Sequence, residues 1–117
     1  MVTGDQGYIG SVLVPILLDK KYTVVGYDSG YFSDNLLEDF NNDYPKITKD
    51  IRDIEMSDLK GVEGVIHLAG LSNDPLGEFS PKLTEDINYT ATIRFAEIAK
   101  KAGVSRFVYA SSQSMYG

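Results

Sequence analysis

The chain has 117 residues, 43% of them hydrophobic and 24% charged, a composition typical of one folded domain rather than of a disordered segment. Its formal net charge of -6 disfavours nucleic acid and membranes as partners, because both attract clustered Lys and Arg. The chain lacks cysteine and has one histidine, which excludes disulfides and predicts no metal site, and with no signal-like N-terminus or membrane-length apolar run we expect a cytoplasmic protein.

Strand-like and helix-like segments alternate along the chain. Such alternation predicts βαβ units with right-handed crossovers, and hence an α/β fold with a doubly wound parallel sheet of strand order 3-2-1-4-5. The predicted elements before the last helix are a strand at residues 1–3, a helix at 8–20, a strand at 22–27, a helical stretch at 36–40, and strands at 46–49 and 65–68.

The first predicted helix has a mostly apolar sequence and contains Pro15, where we expect a kink. The last predicted helix begins with Ser80 as N-cap and Pro81 as first residue, and it ends at Gly103. A strand at 106–110 follows. The apolar stripes are predicted as Ile9, Val12, Leu13, Ile16 and Leu17 in the first helix, and Leu83, Ile87, Ala91, Phe95, Ile98 and Ala102 in the last.

A T-G-x-x-G-x-x-G run at residues 3–10 lies between the first strand and the first helix. Gly4 allows the tight turn, Gly7 lets a pyrophosphate approach the backbone, and Gly10 lets the helix pack closely on the strand. The amides of Tyr8 and Ile9 then point at the phosphates from the helix N-terminus. The run predicts a dinucleotide site, although an ordinary glycine-rich turn between a strand and a helix could have the same sequence pattern.

Asp28 ends the second predicted strand, 21 positions after Gly7. This is close to the spacing of about 20 expected of an acid that accepts hydrogen bonds from the adenosine ribose. A carboxylate there repels the 2′-phosphate of NADP, and no Arg or Lys follows before Lys46, so we predict NAD as cofactor. A solvated loop aspartate is the alternative. The predicted cofactor site also includes Gln6, within the run, and Ser29, directly after Asp28.

The chain resembles the N-terminal part of extended short-chain dehydrogenases/reductases, in particular UDP-galactose 4-epimerase-like proteins with a Rossmann-like domain. The resemblance covers essentially all 117 residues. It rests on segments that occur in the order of that family: the glycine run, Asp28, Asp50–Ile51, residues 67–70 (HLAG), Asn88 and residues 111–117 (SSQSMYG).

The resemblance implies further cofactor contacts. Asp50 would accept a hydrogen bond from the adenine amino group, and Ile51 would offer its backbone amide. Leu68, Ala69 and Gly70 would lie against the adenosine and pyrophosphate. Asn88 would face the active site, although it could equally bond neighbouring backbone, and Asp50 could be a turn aspartate.

By the same resemblance, Ser112 matches the catalytic serine or threonine that binds the substrate hydroxyl, unless it is only a loop-forming serine. His67 is expected to have a structural role on a buried strand rather than to act as a base. The family's catalytic tyrosine has a lysine four positions later, and no tyrosine of this chain has one. We therefore expect an incomplete NAD-binding domain, residues 1–117, truncated at both ends, which is inactive alone.

The expected parent enzyme is an NAD-dependent nucleotide-sugar epimerase that is a homodimer. Two positions bear on its subtype. Gln113 stands where similar dehydratases carry an acid, and Ser72 stands where galactose epimerases usually have a lysine. A dehydratase or reductase of the same family, and a non-catalytic NAD-sensing module, remain the alternatives.

Overall fold

A five-stranded parallel sheet forms the centre of the protein, whose computed structural model describes residues 1–30, 44–69 and 86–110. The strand order is β3-β2-β1-β4-β5, as the alternation of elements predicted. The strands are β1 (Val2–Thr3), β2 (Gly26–Asp28), β3 (Lys46–Thr48), β4 (Gly64–His67) and β5 (Arg106–Tyr109).

The shortest strand, β1, lies in the middle of the sheet and sets its register. Val2 pairs with Gly26 of β2 and with Ile66 of β4, and Thr3 pairs with Tyr27 and His67. Because all strands are parallel, the residues that follow β1, β2 and β4 meet at one edge. Ligands bind at this carboxyl-end edge in open α/β sheets.

Among the described residues, two α-helices cover opposite faces of the sheet, which makes the fold doubly wound. Helix α1 (Tyr8–Asp19) packs its Val14 with Val2 and Val24, and helix α2 (Ala91–Lys101) packs its Phe95 in a second core with Tyr27. Shorter helical turns cover the α2 side of the sheet. They are two 3₁₀ turns, Ile51–Asp53 and Met56–Leu59, and a π-helical turn, Asp86–Thr90, that leads into α2.

The buried face of α1 differs from the predicted one. Ile9, Val12 and Ile16 are exposed, whereas Val14, outside the predicted stripe, is 1% exposed. Leu13 and Leu17 are half-buried. The helix is apolar on nearly every side, so its periodicity could not select a face. It runs without interruption through Pro15.

Helix α2 ends as predicted. Gly103 has φ +86°, and its amide donates to the Lys100 carbonyl while the amide of Val104 donates to that of Ala99. This bonding pattern is a Schellman motif, which favours glycine at the left-handed position. The predicted stripe of this helix is buried or partly buried at Ile87, Ala91, Phe95, Ile98 and Ala102.

The remaining element predictions need two corrections. The strand expected at 22–27 begins at Gly26, because the paired residues of β1 and β3 reach back only to Val2 and Lys46. The last predicted helix is π-helical at Asp86–Thr90 before its α-helical part, and its predicted start at Ser80, Pro81 and Leu83, like the helical stretch at 36–40, lies outside the described residues. Within the described ranges, no helix has the length and apolar character of a membrane span.

Candidate functional site

The glycine run forms a tight turn between β1 and α1 that leaves no room for a side chain at Gly4 or Gly10. Gly4 has φ +71°, and a Cβ there would lie 2.9 Å from the amide nitrogen of Ala69. A Cβ at Gly10 would overlap the Gly4 carbonyl oxygen, and one at Gly7 would lie 3.3 Å from it. Gly4 and Gly10 therefore have no space for a side chain, whereas Gly7 has a tight contact that a small shift could relieve.

The N-terminus of α1 presents amides at this turn. Gly7 is the N-cap and has no side chain to cap the helix, and the first bond within the helix runs from the Ser11 amide to the Gly7 carbonyl oxygen, at 2.9 Å. The amides of Tyr8, Ile9 and Gly10 precede that bond, so they have no acceptor within the helix. Such a terminus favours an anion such as phosphate.

Asp28 lies directly beside the glycine run. Its Oδ2 accepts a hydrogen bond of 3.2 Å from the Gln6 amide, and its Oδ1 accepts one of 2.7 Å from the Gly30 amide. These two amides fix the carboxylate at the end of β2. Each oxygen keeps a further lone pair that can accept from a ligand hydroxyl. Ser29 lies between the bonded groups and is half-buried.

The segment after β4 lies against the turn from the other side. The Ala69 amide donates to Oγ1 of Thr3 at 3.2 Å, and the Leu68 amide is shared between Oγ1 and the carbonyl oxygen of Thr3. The close approach of Ala69 to Gly4 places this segment directly beside the glycine run. The structure thus brings together the glycine run, the end of β2 and residues 68–69.

Asp50 and Ile51 lie in the 3₁₀ turn after β3. The Asp50 carboxylate accepts from the backbone amide of Arg52 and from its guanidinium, with a shortest contact of 2.7 Å. The carbonyl oxygen of Asp50 accepts from the Tyr27 hydroxyl at 2.9 Å, which ties the turn to β2. The Ile51 side chain belongs to the core, so only its backbone is available to a ligand.

Asn88 lies in the π-helical turn, whose Ile87 packs in the same core as Ile51. The two turns, Ile51–Asp53 and Asp86–Thr90, are in contact. Asn88 is half-buried there. The structure therefore places the turn that contains Asn88 against the turn that follows Asp50. π-Helical turns are frequent at functional sites, and the sequence did not predict this one.

His67 is fully buried on β4 between Thr3 and Thr92. Burial lowers the pKa of His67 to about 4, so the imidazole is neutral near pH 7. It lies on the α2 side of the sheet rather than in the open turn. This location agrees with the structural role predicted for it.

Sequence reasoning missed three side-chain hydrogen bonds near this edge of the sheet. Tyr44 donates to the buried carboxylate of Asp5, within the glycine run, and Thr3 and Thr92 bond the two nitrogens of His67. Asp5 and Tyr44 are 39 positions apart in the chain, and Thr3 and His67 are 64 positions apart. The only available signal was polarity at positions otherwise expected to be packed against the sheet.

Several predicted residues lie outside the described ranges. They include Gly70 of the cofactor segment, Ser112 as the catalytic candidate, and the two subtype positions, Ser72 and Gln113. Their assignments stay predictions from the sequence. Within residues 1–30, 44–69 and 86–110, no group of His, Asp and Glu side chains is arranged to hold a metal ion.

Comparison with known proteins gives consistent matches. The model of the NAD dependent epimerase/dehydratase family matches residues 1–117. A UDP-glucose 4-epimerase from Mycolicibacterium smegmatis is 36% identical over 126 residues, which cover 100% of this chain and 40% of that protein. UDP-glucuronic acid decarboxylase 2 from Arabidopsis thaliana is 29% identical, over 100% of this chain and 26% of that protein.

Solved structures agree with the sequence matches. The crystal structure of a UDP-glucose-4-epimerase from Stenotrophomonas maltophila, with bound NAD and formylated UDP-arabinopyranose, aligns with a TM-score of 0.87 and 27% identity. The alignment covers 99% of this chain and 37% of that chain. The chain thus spans 40% or less of the length of each of these three proteins.

Proposed function

This chain belongs to the NAD dependent epimerase/dehydratase family, and we propose that it forms the NAD site of a nucleotide-sugar epimerase. The family match covers the whole chain, and the cofactor of the family is NAD. The chain spans less than half of the first curated relatives, so the proposal concerns the full-length protein. The chemistry that NAD supplies is reversible hydride transfer.

One observation carries the proposal: the Asp28 carboxylate accepts a hydrogen bond from the Gln6 amide of the glycine run. This bond joins the two parts of a dinucleotide site, the acid for the ribose and the amides for the pyrophosphate. The glycine positions support the same assignment, because any Cβ at Gly4 or Gly10 would meet backbone atoms. The residues present therefore fit NAD.

Each group in the site has a separate task. Tyr8, Ile9 and the other first-turn amides of α1 would hold the pyrophosphate, and Asp28 would accept from the adenosine ribose hydroxyls. Leu68 and Ala69 would lie along the dinucleotide at the end of β4. Asp50 and the Ile51 amide would bind the adenine edge, with Arg52 holding the carboxylate of Asp50 in place.

The catalytic step is assigned from the resemblance. Ser112 would donate or accept a hydrogen bond at the substrate hydroxyl and hold it close to the base. The base is proposed to be a tyrosine with a lysine four positions later, in a part of the protein beyond these 117 residues. This chain alone is then expected to bind cofactor without turning over a sugar nucleotide.

The reaction class has competing candidates. The similarity to both an epimerase and a decarboxylase supports an NDP-sugar substrate but leaves the reaction open. Gln113 disfavours a dehydratase, since that position carries an acid in similar dehydratases. A non-catalytic NAD-sensing module of the same fold is the alternative from another class.

Turnover by the full-length protein tests the proposal. Purified protein would be incubated with UDP-glucose, UDP-galactose and their N-acetylated and uronic-acid forms, and products would be identified by NMR. Interconversion of a C4 epimer pair supports the epimerase, and loss of water or carbon dioxide would indicate another reaction. NAD binding without turnover of any of these would favour the sensing module. We further propose that the full-length protein is a homodimer, which light scattering on the same sample would test. Its proposed location is the cytoplasm, which fractionation of cells would test.

A further inference from the structure

A chain of hydrogen bonds links Thr3 of β1, His67 of β4 and Thr92 of α2 beside the candidate site. Nδ1 of His67 lies 2.6 Å from Oγ1 of Thr3, and Nε2 lies 2.9 Å from Oγ1 of Thr92. The imidazole is fully buried, and Phe95 packs edge-on against it with ring centroids 5.2 Å apart. Both ring nitrogens are therefore occupied inside the protein, away from solvent.

The direction of each bond follows from the hydroxyl of Thr3. Its oxygen accepts from the Ala69 amide at 3.2 Å and shares the Leu68 amide at 3.1 Å. A hydroxyl has two lone pairs and one proton, so with the amides on the lone pairs the proton points to Nδ1 of His67. Nδ1 of His67 is then the acceptor, and Nε2 carries the ring proton and donates a hydrogen bond to Oγ1 of Thr92.

The amides of Leu68 and Ala69 belong to the segment that borders the proposed cofactor site. Ala69 N would lie 2.9 Å from a Cβ placed on Gly4, so a small displacement of Ala69 changes the space above the glycine run. An imidazole protonated on Nδ1 would compete with the amides for the lone pairs of Thr3. The tautomer of His67 therefore decides how firmly Leu68 and Ala69 are held.

We propose that His67 is a positioning residue for NAD: its Nε2-protonated, neutral imidazole orients the Thr3 hydroxyl, which fixes the amides of Leu68 and Ala69 against the glycine run. Thr92 selects the tautomer by accepting from Nε2. The rings of Phe95, Phe107 and Tyr109 surround the imidazole and restrict its rotation. The effect of His67 on NAD binding rests on the proposed function, whereas its hydrogen bonds with Thr3 and Thr92 are observed in the structure.

The spectroscopic test uses full-length protein labelled with ¹⁵N. Imidazole ¹⁵N–¹H spectra should show His67 with an unprotonated Nδ1 and a protonated Nε2, with and without NAD. Thr92→Val should mix the two tautomers, and the Ala69 amide resonance should shift with that mixing. A protonated Nδ1 in the wild-type protein would overturn the proposal.

The binding test uses Thr3→Val, which removes the hydroxyl at constant shape, and Thr3→Ser, which keeps it. Thr3→Val should raise the Kd for NAD about tenfold, the size expected for one lost hydrogen bond. Thr3→Ser should restore the Kd to near the wild-type value. His67→Asn, whose side-chain oxygen can replace Nδ1 as acceptor, should bind NAD better than His67→Phe.

The outcomes separate this inference from the proposed function. If Thr3→Val and His67→Phe are folded, as circular dichroism would show, and both bind NAD as tightly as wild type, the positioning role is wrong. If the wild-type protein binds no NAD, the proposed function fails. The positioning of Leu68 and Ala69 is then decided by the tautomer and the Ala69 amide resonance alone.

Discussion

The Tyr44 hydroxyl donates a 2.6 Å hydrogen bond to Oδ2 of Asp5, inside the glycine run. Asp5 is 2% exposed, and its Oδ1 has no partner among the described residues. Gly26 makes room for this carboxyl group, because a Cβ at position 26 would overlap it. Tyr44 thereby connects the turn before α1 to the segment that leads into β3.

Removing this bond should destabilise the protein in a pH-dependent way. Burial raises the pKa of Asp5, the Tyr44 bond partly lowers it, and Asp28 raises it. Just above the ordinary pKa, the folded state holds the proton more tightly than the unfolded state, so this group's contribution to stability falls as pH rises. Tyr44→Phe should lower the free energy of unfolding by about 1–3 kcal/mol at pH 7 and by less at pH 4.

Denaturant unfolding of the full-length protein at both pH values measures this effect. Tyr22→Phe is the matched control, because Tyr22 is 61% exposed and its hydroxyl should contribute less than about 0.5 kcal/mol. An equal loss in both variants, or a larger loss at pH 4 than at pH 7 for Tyr44→Phe, would contradict the role given to the Asp5 carboxyl group.

His67 predicts a second pH dependence of opposite sign. Its pKa is lowered by burial to about 4, from an ordinary value of 6.5. The unfolded state therefore binds the proton first, so the contribution is complete above pH 6.5 and is lost as pH falls toward 4, with a slope of roughly 1.4 kcal/mol per pH unit. The difference in unfolding free energy between wild type and His67→Asn should shrink over this window. A difference that stays constant from pH 6.5 to 4 would show that the imidazole is not held neutral.

The glycine run predicts a steric difference between two alanine substitutions. At Gly10 a Cβ would overlap the Gly4 carbonyl and the Asp5 backbone, whereas at Gly64, in β4, its nearest neighbours lie 3.8 Å away. Gly10→Ala should lower the melting temperature markedly and abolish NAD binding, and Gly64→Ala should change both little. Thermal unfolding with and without NAD checks this, and equal behaviour of the two variants would mean that the turn can open.

Ser112 predicts a kinetic effect in the full-length enzyme. Loss of its hydroxyl should remove a hydrogen bond that matters mostly at the transition state, so Ser112→Ala should lower kcat roughly ten- to hundredfold with little change in NAD affinity. Ser114→Ala serves as the control among neighbouring serines. If both variants reduce kcat equally, the serines of this segment only shape the loop.

The sequence was sufficient to predict the parts of the fold that depend on local signals. Alternating elements predicted the strand order, and Asp28, which its spacing from Gly7 singled out as a ribose-binding acid, lies beside the glycine run in the structure. The prediction of the buried face of α1 was wrong, because a helix with apolar residues such as Ile9, Val12 and Val14 on several sides has no preferred face. The contacts of α1 with the sheet determine which of its faces is buried.

The polar contacts of the candidate site needed the three-dimensional structure. Thr3 and His67 are 64 residues apart, and Asp5 and Tyr44 are 39 apart. No periodic pattern connects such pairs, since each depends on the register of neighbouring strands. The π-helical turn at Asn88 was missed for a similar reason, because helical periodicity does not register one extra residue in a turn.

Calorimetry of the full-length protein with NAD and with NADP tests the central assignment, the Asp28 carboxylate as the group that recognises the adenosine ribose. The wild-type protein should bind NAD more tightly than NADP, because the carboxylate accepts from the ribose hydroxyls and repels a 2′-phosphate. Asp28→Ala should weaken NAD binding about tenfold and narrow the gap to NADP. Asp19→Ala, the same charge change at the far end of α1, should leave both affinities unchanged. NADP binding as tight as or tighter than NAD binding in the wild-type protein would contradict the account.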